Sequence, residues 1–330
     1  MDALIILTAK LPNRKRPGFA VGEESDGWLV CRFSPAVDSQ VPSLTPLISE
    51  DVLMLTRLAT LTLAFFVFAS SAQAAGEIFP DPGLEAAIKG VLKKQGKDTI
   101  KEEDLKNVYQ VTAKGKGIKS LAGLEKCVNI VLLDFAGNEI SDLKPIAGLK
   151  NLQSLDLSGN AIKDVSALKE LAKLQYVQLE DNQIGDLSVF AGHKKLSALY
   201  LSGNKVASVK PLEGLPKLSS LYLEGNQIKD VAPLAKIRWL ANLDLKGNQV
   251  EDISPLAGLT ELRFTFLQNN KLKDFGPLVE MAKKDAAGKK RFAPYWKLYL
   301  DGNPIDAPKR DTQVAELKKA GVRINWQPKK

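Results

Sequence analysis

The side chains that most often do chemistry are nearly missing from this chain. Its 330 residues include one histidine, His193, and two cysteines, Cys31 and Cys127. Two cysteines cannot build a disulfide framework, and a single histidine leaves no Cys/His zinc spacing. Cys127 and His193 stand three full repeats apart on the lattice described below, too far for a Cys–His dyad. No HExxH, CxxC or GxSxG occurs, and the Gly115-Lys116-Gly117 stretch lacks the Gly-Lys-Ser/Thr ending of a phosphate-cradling loop. An enzyme is therefore not expected, and neither is a cofactor or a metal. Arginine is scarce too. Beyond residue 74 it occurs only at 238, 263, 291, 310 and 323, and no nucleic-acid-binding motif accompanies the net charge of +8. Nucleic acid is thus not the expected partner. Long apolar runs are limited to residues 58–69, too short to cross a hydrocarbon core of ~30 Å.

What the chain has instead is repetition. Asn138, Asn160, Asn182, Asn204, Asn226, Asn248 and Asn270 follow one another at intervals of 22 residues, and Asn303 comes 33 residues after the last. Apolar residues keep fixed offsets around each. Around Asn160 they are Leu152, Leu155, Leu157, Ile162, Val165, Leu168 and Leu171. Around Asn226 they are Leu218, Leu221, Leu223, Ile228, Val231, Leu234 and Ile237. A degenerate leading copy has Val108, Val111, Ala113, Ile118, Leu121 and Leu124, with Lys116 at the Asn position. This gives about nine units across 107–303, with an 11-residue insertion near 283–293. A fixed period of this length with L-x-x-L-x-L-x-x-N is the signature of a leucine-rich repeat.

Each recurring letter has a physical reason. Leu155 and Leu157 alternate with period two, which puts both on one face of a short strand. Gly159, like Gly137, Gly203, Gly225, Gly247 and Gly302, suits the tight turn that follows. The Asn lies inside that turn, where its amide can pair with backbone groups otherwise buried without partners, so the eight asparagines are expected to stack as a ladder. Asp142, Asp164, Asp186, Asp230, Asp252 and Asp274 recur four residues after the Asn, often followed by Pro. They read as caps of short turns on the far side of each coil. Cys127 and His193 occupy a position filled by leucine at 149, 171, 215 and 259, so both read as core substitutions.

The phrase N-x-I-x-D-[LVI]-x-P-L-A-G-L resembles the 22-residue class of leucine-rich repeats found in bacterial internalin-type proteins and in the regulatory subunit of protein phosphatase 1. The likeness extends over residues 77–326. It includes "IFPDPGLEAAIKGVLKK", similar to the helical cap that opens bacterial members. The resemblance implies an α/β-type solenoid: a right-handed superhelix with a parallel concave sheet, short convex turns or 3-10 segments, and helical caps at both ends. It also implies a scaffold that binds another macromolecule, although one such fold serves many partners.

An open stack exposes apolar ends and needs polar caps. Residues 75–106 are read as the N-terminal cap, with Leu84, Ile88, Val91 and Leu92 at helical spacing behind Asp81-Pro82 and a second short helix over 101–108. Residues 304–330 are read as the C-terminal cap. It is expected to be a helix from about Thr312, stopped near Gly321, and a last strand ending at Trp326. The insertion is expected to form a longer convex loop or helix extension, its lysines facing solvent.

Residues 54–74 carry Met54, a lone Arg57, the apolar run 58–69 and Ala72-Gln73-Ala74, the layout of a cleaved secretory signal. Met54 is accordingly expected to be the start, with 1–53 an upstream mistranslated or disordered leader. The product is then exported, periplasmic or secreted, and a monomer.

The residues six, four and two before each ladder Asn face out from the sheet. They include Tyr176, Tyr200, Tyr222, Phe264, Phe266 and Tyr299, interleaved with Asp134, Asp156, Glu180, Glu224, Asp244 and Asp301. Only Lys114, Lys246 and Lys297 oppose them. Six aromatics on one face is a large share of a chain that is 7% aromatic. Aromatic side chains also supply contact area at low entropic cost. The expected partner is therefore a basic or amphipathic protein or peptide. Two alternatives stay open at this point: a regulatory subunit of an enzyme such as a phosphatase, and a binder of an anionic polymer or glycan through the lysines.

Overall fold

The computed structural model describes residues 78–325; the expected leader, the expected signal segment and Trp326 lie outside them. Ten three-residue strands follow the repeat: β1 Gln110–Thr112, β2 Leu132–Asp134, β3 Ser154–Asp156, β4 Tyr176–Gln178, β5 Ala198–Tyr200, β6 Ser220–Tyr222, β7 Asn242–Asp244, β8 Phe264–Phe266, β9 Lys297–Tyr299 and β10 Arg323–Asn325. They form one sheet in sequence order, each parallel to the next. The 22-residue period becomes strand register, so Leu155 pairs with Val177 and Leu199 with Leu221. Between strands the chain returns through short 3-10 turns such as Lys144–Ile146 and Ser166–Leu168.

The central residue of each strand points into the stack. Val111, Leu133, Leu155, Val177, Leu199, Leu221 and Leu243 are all buried, and so is the second apolar row of Phe135, Leu157, Leu179, Leu201, Leu223, Leu245 and Leu267. Fully burying such a side chain contributes about 1.5–3 kcal/mol, and each sits between copies of itself. Cys127 and His193 are buried at the expected leucine position. Burial lifts the Cys127 thiol to about 12, with the nearby Glu125 charge adding to it. His193 places Nε2 3.1 Å from the Leu168 carbonyl oxygen and its ring 5.6 Å from that of Phe190.

The asparagines bind coil to coil. Asn182 donates through Nδ2 to the carbonyls of Leu157 (3.0 Å), in the preceding coil, and Leu179 (3.1 Å), in its own. Its Oδ1 accepts from Ile162 N at 2.9 Å. The same pattern runs from Asn138 through Asn160, Asn204, Asn226, Asn248 and Asn270 to Asn303, whose Oδ1 accepts from Leu272 N at 3.1 Å. On the opposite wall each recurring Asp accepts from the backbone N–H two residues ahead. Asp186 takes Ser188 N at 2.8 Å and Asp252 takes Ser254 N at 2.8 Å. The turn before each Asn needs left-handed backbone. Glycine supplies it at 159 (φ +64°) and 203 (φ +69°), while Asp181 and Asn269 adopt it at φ +52° and +55°.

Both ends are closed by helices. At the N-terminal end α1, Pro82–Val91, buries Leu84 and Ile88. Asp81 joins it to the first repeat: one carboxylate oxygen accepts from Gly83 N and Leu84 N, the other from Lys119 N and Ser120 N, all within 2.8–3.1 Å. The insertion lengthens a turn into helix α2, Gly276–Ala287. The chain then returns to the core with Phe292 and Ala293 buried, their N–H groups held with that of Arg291 by the Asp285 carboxylate. Of its lysines, Lys283 pairs with Glu316 at 3.0 Å rather than only facing solvent. The closing helix α3, Ala307–Lys319, starts about five residues earlier than its apolar spacing suggests. Pro308 in its first turn already fixes helical backbone where no N–H is required.

Candidate functional site

The repeat that buries one side of each strand leaves the other side open, and strand register sorts that open side into columns. The central column runs Asp134, Asp156, Gln178, Tyr200, Tyr222, Asp244, Phe266, Tyr299. Beside it, at the strand starts, run Ser154, Tyr176, Ala198, Ser220, Asn242, Phe264 and Lys297. Just past the strand ends lie Glu180, Ser202, Glu224, Lys246, Gln268 and Asp301. The expected aromatic and acidic residues thus share one face, but in two chemically different halves.

In the first half the acids have a partner within the chain. Lys114 reaches Asp134 at 3.0 Å and Asp156 at 3.7 Å, which raises the lysine pKa through its hydrogen bond and ion pair with Asp134. Asp156 also accepts from Ser158 N at 3.0 Å and Ser158 Oγ at 2.7 Å. The two carboxylates that read as available to a basic partner are therefore both paired with Lys114, with Asp134 Oδ1 left buried and without a hydrogen-bond partner among the described residues. Glu224 is likewise paired, with Lys246 at 2.6 Å. Glu180 and Asp244 have no ion pair among the described residues. Burial is the first cause raising both carboxyls above their ordinary values.

The second half is aromatic. Tyr200 and Tyr222 stack with centroids 4.8 Å apart and planes 10° from parallel. Phe266 and Tyr299 stack at 4.5 Å and 17°. Lys297 Nζ lies 5.0 Å from the Phe264 centroid, and Tyr176 is 54% exposed. The two stacks face each other across Asp244. Stacked rings on neighbouring strands form a rigid, half-exposed platform whose contact area is already ordered before binding.

Three exposed aromatics escape the column rule, the first being Tyr109, 53% exposed beside β1. Trp239 is 63% and Tyr295 58% exposed, and the Arg263 guanidinium lies 5.3 Å from the Tyr295 ring centroid. Trp239 had a signal in the sequence. It stands nine residues before its ladder Asn, where other repeats have Asn151, Lys173, Lys195 and Lys217. Among the described residues no three or more His, Cys, Asp or Glu side chains gather as a metal site. No helix among them is long and apolar enough to cross a membrane.

Comparison with known proteins matches residues 150–192 and 194–236 to the family described as Leucine Rich repeats (2 copies). Among solved structures, internalin C2 of Listeria monocytogenes is 30% identical, with a TM-score of 0.58 over 69% of this chain and 95% of that one. A second internalin of that organism, inlF, is 29% identical, with a TM-score of 0.60 over 77% of this chain and 78% of that one. A leucine-rich-repeat protein of Leptospira interrogans shares the fold at 20% identity and a TM-score of 0.52, over 63% and 57% of the two chains.

Proposed function

The chain belongs to the bacterial internalin-type leucine-rich-repeat proteins, and from that premise we propose that it is an exported scaffold binding a protein or peptide on the open face of its sheet. The carrying observation is the pair of ring stacks, Tyr200–Tyr222 and Phe266–Tyr299, in one column of the open face on either side of Asp244. Aromatic platforms of this kind concentrate binding energy in a few residues. We read the role as binding rather than catalysis, because the stacked rings supply contact area rather than reacting groups. Export rests on the charged, apolar and Ala-x-Ala layout of residues 54–74. A mature N-terminus at or after Gln73 in the secreted protein is the result expected from N-terminal sequencing.

The binding test compares the parent chain with Tyr200→Ala/Tyr222→Ala in capture of partners from the environment into which the protein is released. The double variant should bind at least ~2 kcal/mol more weakly with its melting temperature nearly unchanged. Normal binding by that variant, with binding abolished instead by charge reversal at Lys283, Lys284, Lys289 and Lys290, overturns the reading. It would point to an anionic partner on the far side. Lys283 is already paired with Glu316 and Glu280, which weakens that alternative.

A further inference from the structure

Asp244 differs from every other acid on the open face. It is 8% exposed, it lies on the central strand column between Tyr222 of β6 and Phe266 of β8, and it has no ion pair among the described residues. Strand spacing sets the backbones that carry the two flanking rings roughly 9–10 Å apart, with the Asp244 strand between them. The behaviour of its oxygens is asymmetric. Oδ1 accepts from Lys246 N at 2.9 Å, whereas Oδ2 accepts no hydrogen bond among the described residues. The one nearby ammonium, on Lys246, is turned to Glu224 at 2.6 Å. Just past the end of β8, Gln268 Oε1 is shielded from solvent and has no hydrogen-bond partner among the described residues. This part of the face therefore offers two acceptor oxygens, Asp244 Oδ2 and Gln268 Oε1, that take no hydrogen bond among the described residues, beside strands that carry aromatic rings.

A buried carboxylate without a counter-ion is costly to a fold. Its turn-forming bond to Lys246 N does not require the charge. Asp156 makes the equivalent bond to Ser158 N, yet there Lys114 compensates it. An Asn at 244 would keep the bond and remove the burden. Electron-rich ring faces beside a carboxylate are also the surroundings that a desolvated organic cation prefers.

We propose that Tyr222, Asp244 and Phe266 form a cation-recognition subsite that receives a lysine or arginine side chain of the protein partner. The subsite rests on the sheet-face reading above and makes it specific. The face recognises a basic residue at the point where two aromatic stacks meet, and the aromatics alone supply the apolar contact on either side. A partner lacking a basic residue there leaves Asp244 desolvated and unpaired, so the carboxylate selects against it.

The test uses the full chain with labelled hexalysine and hexaarginine as probes, read by fluorescence anisotropy at low salt, with melting temperature measured alongside. Asp244→Asn should bind at least one of the two probes roughly tenfold or more weakly while melting no lower than the parent. A residue with only a structural role would not give that combination. Glu251→Gln, exposed and off the sheet face, should bind as the parent does. If Asp244→Asn binds like the parent while Tyr200→Ala/Tyr222→Ala weakens the probe, the cation subsite is overturned and the sheet-face reading stands. If neither variant weakens it, basic peptides dock elsewhere and the cation subsite is overturned, while the sheet-face reading rests on its own capture test. A parent chain that binds neither probe overturns the subsite alone.

Discussion

The indole Nε1 of Trp296 donates to Oγ1 of Thr265 across 2.8 Å, with both residues completely buried. Thr265 stands in the strand-centre column where neighbouring coils place Leu243 and Leu298. A hydroxyl is therefore inserted into an apolar column at the coil that adjoins the insertion, and the insertion's return segment brings the one group that satisfies it.

A double-mutant cycle should expose that dependence. Thr265→Val orphans the indole N–H, and Trp296→Phe orphans the hydroxyl, each removing a partner from a buried group at a cost of about 1–3 kcal/mol. Together they leave no orphan, so the pair should lose less than the sum, by about 1 kcal/mol or more in urea melts. Additive losses would mean that the hydrogen bond contributes nothing and that only volume matters at this site.

A second contrast tests which way the strands face. Leu199 is fully buried at the centre of β5, and Leu199→Ala should destabilise by about 2–5 kcal/mol through the cavity left behind. Ser202, three residues on, is half-buried, and its hydroxyl makes no hydrogen bond among the described residues. Ser202→Ala should change stability by less than ~0.5 kcal/mol. Equal losses would invert the faces, as a slip of one residue does.

The solenoid was legible because its columns are set by backbone geometry. A strand centre, a ladder amide and a left-handed turn each admit few side chains, so Leu155, Asn160 and Gly159 recur on a lattice. The open-face columns have no such constraint. The offset alone says that Tyr200 and Tyr222 are neighbours, and they stack as neighbours should. It says nothing of rotamers, and so the bridge from Lys114 to Asp134 and Asp156 was not visible in the sequence. Phe266 and Tyr299 also pair in one column, and their common offset of four residues before Asn270 and Asn303 shows it across the insertion. The Thr265–Trp296 bond was illegible, because it crosses the insertion between positions with different offsets from those asparagines.

The N-terminal cap depends on a close approach that only glycine permits. Gly123 has φ +98°, and a Cβ there would collide with the Ile78 carbonyl oxygen and lie 2.6 Å from a ring carbon of buried Phe79. Gly123→Ala should destabilise by more than ~1 kcal/mol, whereas Gly148→Ala, where a Cβ meets nothing within 4 Å, should be nearly silent. Because repeat stacks lose structure from their ends, hydrogen exchange should locate the damage. Amides of α1 should lose protection while those of β5 to β7 keep it. A uniform loss would mean that the cap and the stack unfold as one unit.

Two aspartates should give pH dependences of opposite sign. Burial pushes the Asp81 carboxyl upward, but hydrogen bonds from the Lys119, Ser120, Leu84 and Gly83 N–H groups outweigh it and hold the group below its ordinary 3.8. The folded state therefore binds this proton less readily than the unfolded state. The stability from Asp81 is complete above that ordinary value and is lost as pH falls through the lower folded value. For Asp244 burial is again the largest influence, the Lys246 N–H opposes it, the Glu224 charge adds to it, and the net shift is upward. Here the folded state holds the proton more tightly, and stability falls as pH rises from 3.8 through the raised folded value. At neutral pH, Asp81→Ala should thus melt lower, by the ~1 kcal/mol typical of a lost helix cap, and Asp244→Asn should melt higher. Below the folded-state value of Asp81 both carboxyls are protonated, so the advantage of Asp244→Asn should vanish and the deficit of Asp81→Ala should shrink. Melting temperatures of the parent and both variants across this range decide the matter. A melting temperature for Asp244→Asn below the parent's at neutral pH would show that the ionised carboxylate supports the fold, and with it would go the argument that Asp244 is kept for a partner's cation.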